Sequence, residues 1–152
     1  TSSRMKRRTE LLAVAIWSRL KKGASMNDLQ RDVPRCSFYI YKTVLGLLDD
    51  YPTRSGYLIT PVVVWVGTRA EILPNPAEVA SVHRIALDDI EREDAFSFTK
   101  IPESTRRVIR FRHAGQHIHA PTAALIYQFM EVAGCGRNTR VAHLEQPVWA
   151  WK

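Results

Sequence analysis

Three histidines, His113, His117 and His119, are the densest group of chemistry-bearing side chains in this sequence. Histidine is the commonest metal ligand and the side chain best suited to moving protons near neutral pH. His117 and His119 are two residues apart, so on a strand they share a face. A zinc site would need a fourth ligand, and no cysteine or acidic residue stands close by in sequence, so a structural or surface role is the stronger reading. Arg54, Ser55 and Gly56 form a second candidate, in which a guanidinium and backbone N–H groups approach a phosphate. The competing account is that Gly56 serves only a tight turn. Glu78, in the run Asn75-Pro-Ala-Glu-Val79, is either a metal or water contact or an exposed loop carboxylate. Cys36 and Cys135 are far apart and read as reduced thiols. The sequence contains no Ser–His–Asp order, nucleotide-binding glycine loop or CxxC pair.

The 152 residues carry a net charge of +7, and that charge is unevenly placed. Residues 1–42 hold ten Lys/Arg against three acids, whereas residues 43–152 hold twelve of each. Arg4 to Arg8, Arg19, Lys21 and Lys22 make this first quarter a candidate contact for phosphates on nucleic acid or a small molecule. A solvated basic helix is the plainer alternative. An apolar share of 45 % fits one folded domain, and the longest apolar runs are too short to span a bilayer. With no signal-peptide pattern, the expectation is a cytoplasmic protein with no membrane partner.

The elements that must position these residues follow from periodicity and punctuation. Leu12, Ala13, Ile16 and Leu20 lie at helical spacing, Thr9 can cap, and Gly23 can stop, which predicts a helix over residues 10–22. Phe38 to Leu48 reads as a strand bent at Gly46, followed by a turn over Asp49 to Pro52. Tyr57 to Val66 reads as a strand in which Pro61 implies an irregular or edge position. Pro74 to Pro76 is a loop, Val79 to Ile85 a strand, and Ala86 onward a turn into a short helix. Thr105 to His113 and His117 to His119 form a hairpin around Ala114 to Gln116. Thr122 to Ala133 is an amphipathic helix stopped by Gly134, with Ala123, Ile126, Tyr127 and Met130 inward. The tail from Arg137 is extended, with Trp149 and Trp151 as anchors.

The words TRSGYLITPVVVWV (residues 53–66) and LPNPAEVASVHRIALDDI (residues 73–90) resemble the second half of Nudix hydrolases, nearest the branch similar to coenzyme A pyrophosphatases. HIHAPTAALIYQFMEVA (residues 117–133) is similar to the closing strand and helix of that family. The resemblance implies an α/β (α+β) fold, a Nudix-type α/β/α sandwich of mixed sheet. It implies one domain over residues 1–152, with a core at 43–134, a box helix and loop at 1–42, and a tail at 135–152. Relatives carry about two strands and a glycine-rich loop before the catalytic helix, so the fold is expected to be truncated at its N-terminus.

The family signature, G-x5-E-x7-R-E-U-x-E-E-x-G-U, places glutamates on one helix face to hold Mg²⁺ or Mn²⁺ against a pyrophosphate while water attacks. Laid on the upstream segment, its glycine falls on Ser3 and its spaced glutamate on Thr9. The Arg-Glu pair falls on Trp17-Ser18, the Glu-Glu pair on Lys21-Lys22 and the last glycine on Ala24. Every signature residue is replaced. Charged ammonium groups have no lone pair for a metal, and each reversed charge at 4 Å is worth about 4 kcal/mol at an effective dielectric of 20. The expectation is therefore a pyrophosphohydrolase relative with a degenerate site, no intact catalytic residue, no bound metal and little or no activity. Glu78 is its possible remnant, and Arg54, Ser55 and Gly56 contact nucleotide or coenzyme A-like phosphates. The alternatives are a basic phosphate- or nucleic-acid-binding module, or a decayed product without a biochemical role.

Overall fold

Strand β5 (Leu58–Gly67) organises the first sheet. In the computed structural model, which describes residues 11–18, 38–39, 43–67, 71–72 and 83–151, its Ile59, Val62, Val63 and Val64 are all buried. Consecutive buried residues mean that both faces are covered, as on a central strand. β1 (Leu11–Ser18) runs antiparallel along one edge, from Leu11 opposite Gly67 to Ser18 opposite Ile59. β3 (Thr43–Leu47) and β4 (Tyr51–Pro52) share the other edge. β2 (Phe38–Tyr39) and β6 (Glu71–Ile72) form a separate two-stranded ladder.

The helix expected over residues 10–22 is not what residues 11–18 form. They are β1, so the Trp17-Ser18 pair, expected on a box helix, lies on a strand, opposite Thr60 and Ile59. A short run of Leu, Ala, Val, Ile and Trp fits either period, and tertiary pairing decides between them. The decisive partner is β5, which is apolar on both faces and would otherwise leave a row of backbone donors and acceptors unpaired. Ser3, Thr9, Lys21, Lys22, Ala24 and Glu78 lie outside the described residues.

Other expectations meet the structure more closely. The pairing of β3 with β5 shifts register between Val44 and Gly46, the bend expected at that glycine. Tyr51 and Pro52, expected in a turn, pair instead with Ile59 and Leu58. Pro61 is buried in a central strand, not at an edge. Its carbonyl accepts Leu48 N–H at 3.0 Å, so its missing N–H points to the stretch between β3 and β4, where no ladder bond is required.

After the short helix α1 (Leu87–Ile90) comes a three-stranded antiparallel sheet of β7 (Phe96–Ile101), β8 (Ser104–His113) and β9 (Gln116–His119). β7 had no counterpart in the sequence reading, because Phe96-Ser-Phe-Thr-Lys-Ile is short and follows an acidic turn. Helix α2 (Thr122–Phe129) starts at the cis Ala120–Pro121 bond and continues as a π-helical turn through Gly134. Its Ala123, Ala124, Leu125 and Phe129 meet Ile109 and Phe111 of β8 and Tyr51, Ile59 and Val63 of the first sheet in one core. Ile126, Tyr127 and Met130, expected inward, sit partly buried at its margin. Ladders among the described residues are antiparallel, with one parallel bridge between Val108 and Glu145, and the architecture is α+β.

His113 pairs with Gln116 across a two-residue turn in which Ala114 and Gly115 have φ of 48° and 77°. Two positive φ angles match the strand twist, but alanine in the left-handed region costs about 1–2 kcal/mol. Ala114→Gly is expected to stabilise the protein by about 1 kcal/mol and Gly115→Ala to destabilise it by a similar amount. Urea unfolding of the two variants checks this, and no opposition in sign would refute it.

Candidate functional site

The tail returns to the first sheet through a buried carboxylate. Glu145 lies beside β8, its N–H donating to Arg107 O at 2.8 Å, and its side chain is 2 % exposed. A buried charge must be paired and hydrogen-bonded. Arg54, on the turn between β4 and β5, donates Nε to Oε1 at 3.0 Å and Nη2 to Oε2 at 2.5 Å. Ser104 Oγ donates to Oε2 at 2.7 Å, and Gln146 N–H donates to Oε1 at 3.0 Å. Each oxygen thus receives two donors, which fills the acceptor capacity of a carboxylate.

Tyr51, 1 % exposed, donates its hydroxyl to Leu144 O at 3.0 Å, while Arg54 N–H donates to Gln146 Oε1 at 2.7 Å. The Arg54 guanidinium lies 4.7 Å from the Trp151 ring centroid, a cation–π distance. Trp151 Nε1 donates to Gln146 O at 3.0 Å. The tryptophan anchor expected in the tail is therefore Trp151, whereas Trp149 is 69 % exposed.

The electrostatics follow from the donors. The hydrogen bonds from Arg54 hold the Glu145 carboxyl at about 2 against the opposing effect of burial, with help from Ser104 and Gln146. Burial, then the Glu145 charge, pushes the Tyr51 hydroxyl above the usual phenol range. Glu145 is thus ionised across the neutral range, with no acceptor position left for a metal or a substrate proton.

The structure brings Arg54, Ser55 and Gly56 together on one turn. Gly56 has a φ of 84° and donates its N–H to Thr53 O at 3.1 Å, and Ser55 Oγ lies 3.1 Å from Thr53 Oγ1. Two of the three backbone N–H groups of this turn, those of Arg54 and Gly56, already have protein partners. The sequence reading missed Tyr51, Ser104, Glu145 and Gln146. Nothing in a polar tail marks one glutamate as buried, although the adjacent tryptophans were the available hint.

The histidines divide between two faces. His117 stands opposite Arg112 and His119 opposite Arg110, on one face as expected. His113 stacks on Phe111 at 6.0 Å and meets His83 edge-on at 6.0 Å. Among the described residues, no group of three or more His, Cys, Asp or Glu could hold a metal ion. Nor is any described helix long and apolar enough to cross a membrane.

No protein-family model, curated protein or solved structure matches this chain.

Removing one member of a buried pair strands the other charge, which costs about 3–5 kcal/mol. Arg54→Gln is expected to destabilise the protein by less than that, because the Arg54 side chain is 43 % exposed and solvent screens the pair. Glu145 is depressed in the folded state, so its contribution is complete above its ordinary value of 4.5 and fades as pH falls toward 2. In Arg54→Gln the folded-state carboxyl is no longer held so far below 4.5, so stability should fall less over the same range. Urea unfolding between pH 3 and 7 would show it; identical profiles for both proteins would exclude it.

Proposed function

We propose that this chain is a relative of the Nudix pyrophosphohydrolases in which metal-assisted attack of water on a pyrophosphate has been lost. The parent substrates are nucleoside diphosphate-linked or coenzyme A compounds, and residues 43–134 are the core of a single Nudix-type domain. The observation that carries the reading is chemical. Lys21 and Lys22 stand where paired glutamates would hold the metal, and an ammonium group offers no lone pair to one.

The structure adds support of two kinds. Residues 11–18 run as a strand, which departs from the family's helix and supports only the loss of the metal site, since no ligands are presented there along a helix face. Of the segments bearing the resemblance, β5, α1, the β8–β9 hairpin and α2 take the element types expected of them, whereas residues 83–85, expected in a strand, do not. Arg54, Ser55 and Gly56 remain the proposed phosphate contact. Because Arg54 is already neutralised by Glu145, it contributes the shape of the turn more than charge.

A metal ion stabilises the charge that develops on a transferring phosphoryl group by several kcal/mol, so its loss lowers the rate by at least about a thousandfold. The purified chain, assayed with Mg²⁺ and Mn²⁺ against coenzyme A and nucleoside diphosphate-linked substrates, should release no product above a metal-free blank. Metal-dependent turnover at the rate of an active enzyme, abolished by Glu78→Ala, would overturn the proposal.

A further inference from the structure

Strand β8 reads Ser104-Thr-Arg-Arg-Val-Ile-Arg-Phe-Arg-His113, and its alternation assigns two different tasks. Ile109 and Phe111 enter the core, both 0 % exposed. Arg110 and Arg112 point from the opposite face. Directly opposed residues in an antiparallel ladder share a face with Cβ atoms about 4.5–5.5 Å apart. Arg110 is flanked by Ser97 of β7 and His119 of β9, and Arg112 by His117. Two guanidinium groups, two imidazoles and a hydroxyl therefore converge within about 7 Å along the strand.

Two described carboxylates beside this sheet are already countered. Asp94 meets Arg112 at 3.3 Å and Arg92 at 3.0 Å, and Glu145 is closed by Arg54. The Nε of Arg110 is shielded from solvent and has no hydrogen-bond partner among the described residues. A shielded, charged donor without an acceptor is costly and calls for explanation. Trp149 stands beside His119, ring centroids 5.7 Å apart and nearly perpendicular, with most of its surface open. A base-sized ring can lie on such an indole while its phosphate meets the arginines.

We propose that the face formed by Arg110, Arg112, His117 and His119 is a phosphate site, with Trp149 stacking a planar ring joined to that phosphate. The ligand class is a nucleoside phosphate ester, taken from a free nucleotide or from a strand of nucleic acid. Guanidinium groups supply paired donors to phosphate oxygens, and the imidazoles donate a second set when protonated. The site uses no residue of the degenerate box or of the Arg54 turn, so it stands or falls apart from the hydrolase ancestry. His119 belongs to this cationic group by position, opposite Arg110 across the ladder. Burial lowers its pKa most, followed by Arg110 on β8 and His117 on its own strand, against a backbone hydrogen bond at His117, while the 3-10 turn bearing Trp149 (Val148–Ala150) brings no charge. An anion bound there would act in the opposite sense and raise it.

Imidazole NMR signals of the full chain at low salt give the test, with inorganic phosphate, AMP and a short oligothymidylate as probes. Phosphate is expected to shift His117 and His119 and to raise the His119 pKa. AMP should bind more tightly than phosphate, and Trp149→Ala should reduce AMP to the level of phosphate. Arg112→Gln, at a side chain 56 % exposed where the fold is not at stake, should weaken all three probes about tenfold. Oligothymidylate binding tighter than AMP with a steep salt dependence assigns the site to nucleic acid; the reverse order assigns it to free nucleotides. Unmoved His117 and His119 signals at millimolar phosphate, or an Arg112→Gln protein that binds as wild type, would overturn the proposal.

Discussion

The ionised carboxylate of Glu145 is the constraint on which the arrangement of the segments depends. At 2 % exposure it has lost its water, and four donors replace it. Those donors come from the β4–β5 turn, the start of β8 and the tail itself, segments separated by as many as 91 residues. None of them can shift without leaving a buried charge partly unpaired, which is worth more than a typical surface ion pair. Tyr51 adds a fifth tie between the same segments, joining the first sheet to the tail through Leu144 O. The two sheets are thus registered by polar contacts at one end and by the apolar core at α2.

A second buried carboxylate repeats the logic at the other end of the tail. Glu131, in the π-helical turn after α2, is 5 % exposed and takes a bidentate ion pair from Arg137 and a 2.8 Å hydrogen bond from Thr139. The hydrogen bonds from Arg137 hold its carboxyl below the usual range. Residues 137–151 contain no long element, so these two anchors and Trp151 do for the tail what a ladder does for a strand. A chain fixed mainly by charge-assisted bonds is directionally precise but intolerant of single losses. Arg54 illustrates the consequence: it cannot serve fully as a phosphate ligand while it also neutralises Glu145.

How much of this was legible depended on whether the signal was local. β5 was readable because Pro-Val-Val-Val-Trp-Val has no other comfortable conformation than a buried strand. The β8–β9 hairpin was readable from apolar alternation broken by Ala114-Gly115, and α2 from its spacing and Gly134. Residues 11–18 misled because their apolar spacing satisfies a helix, and only the open edge of β5 selects the strand. Glu145, Ser104 and Gln146 carried no local mark at all. Their function exists only once distant segments meet, and a single sequence does not record such a meeting. The sandwich architecture belongs with the resemblance, since the described pairings establish α+β and no more.

The outer face of β8 is where stability and function part company. Folding alone would favour opposite charges across neighbouring strands, since each such pair contributes and like charges directly opposed cost. Here arginine faces histidine at both cross-strand positions, and Arg110 and Arg112 are neighbours on the same face. Asp94 relieves the outer arginine, but no described acid relieves Arg110. The inner face of the same strand shows that the sheet is well packed, with Ile109 and Phe111 fully buried. Poor packing therefore does not account for the outer face. Charge that is uncompensated beside a well-formed core, and next to an open indole, is the pattern expected where the compensating anion arrives from outside the chain.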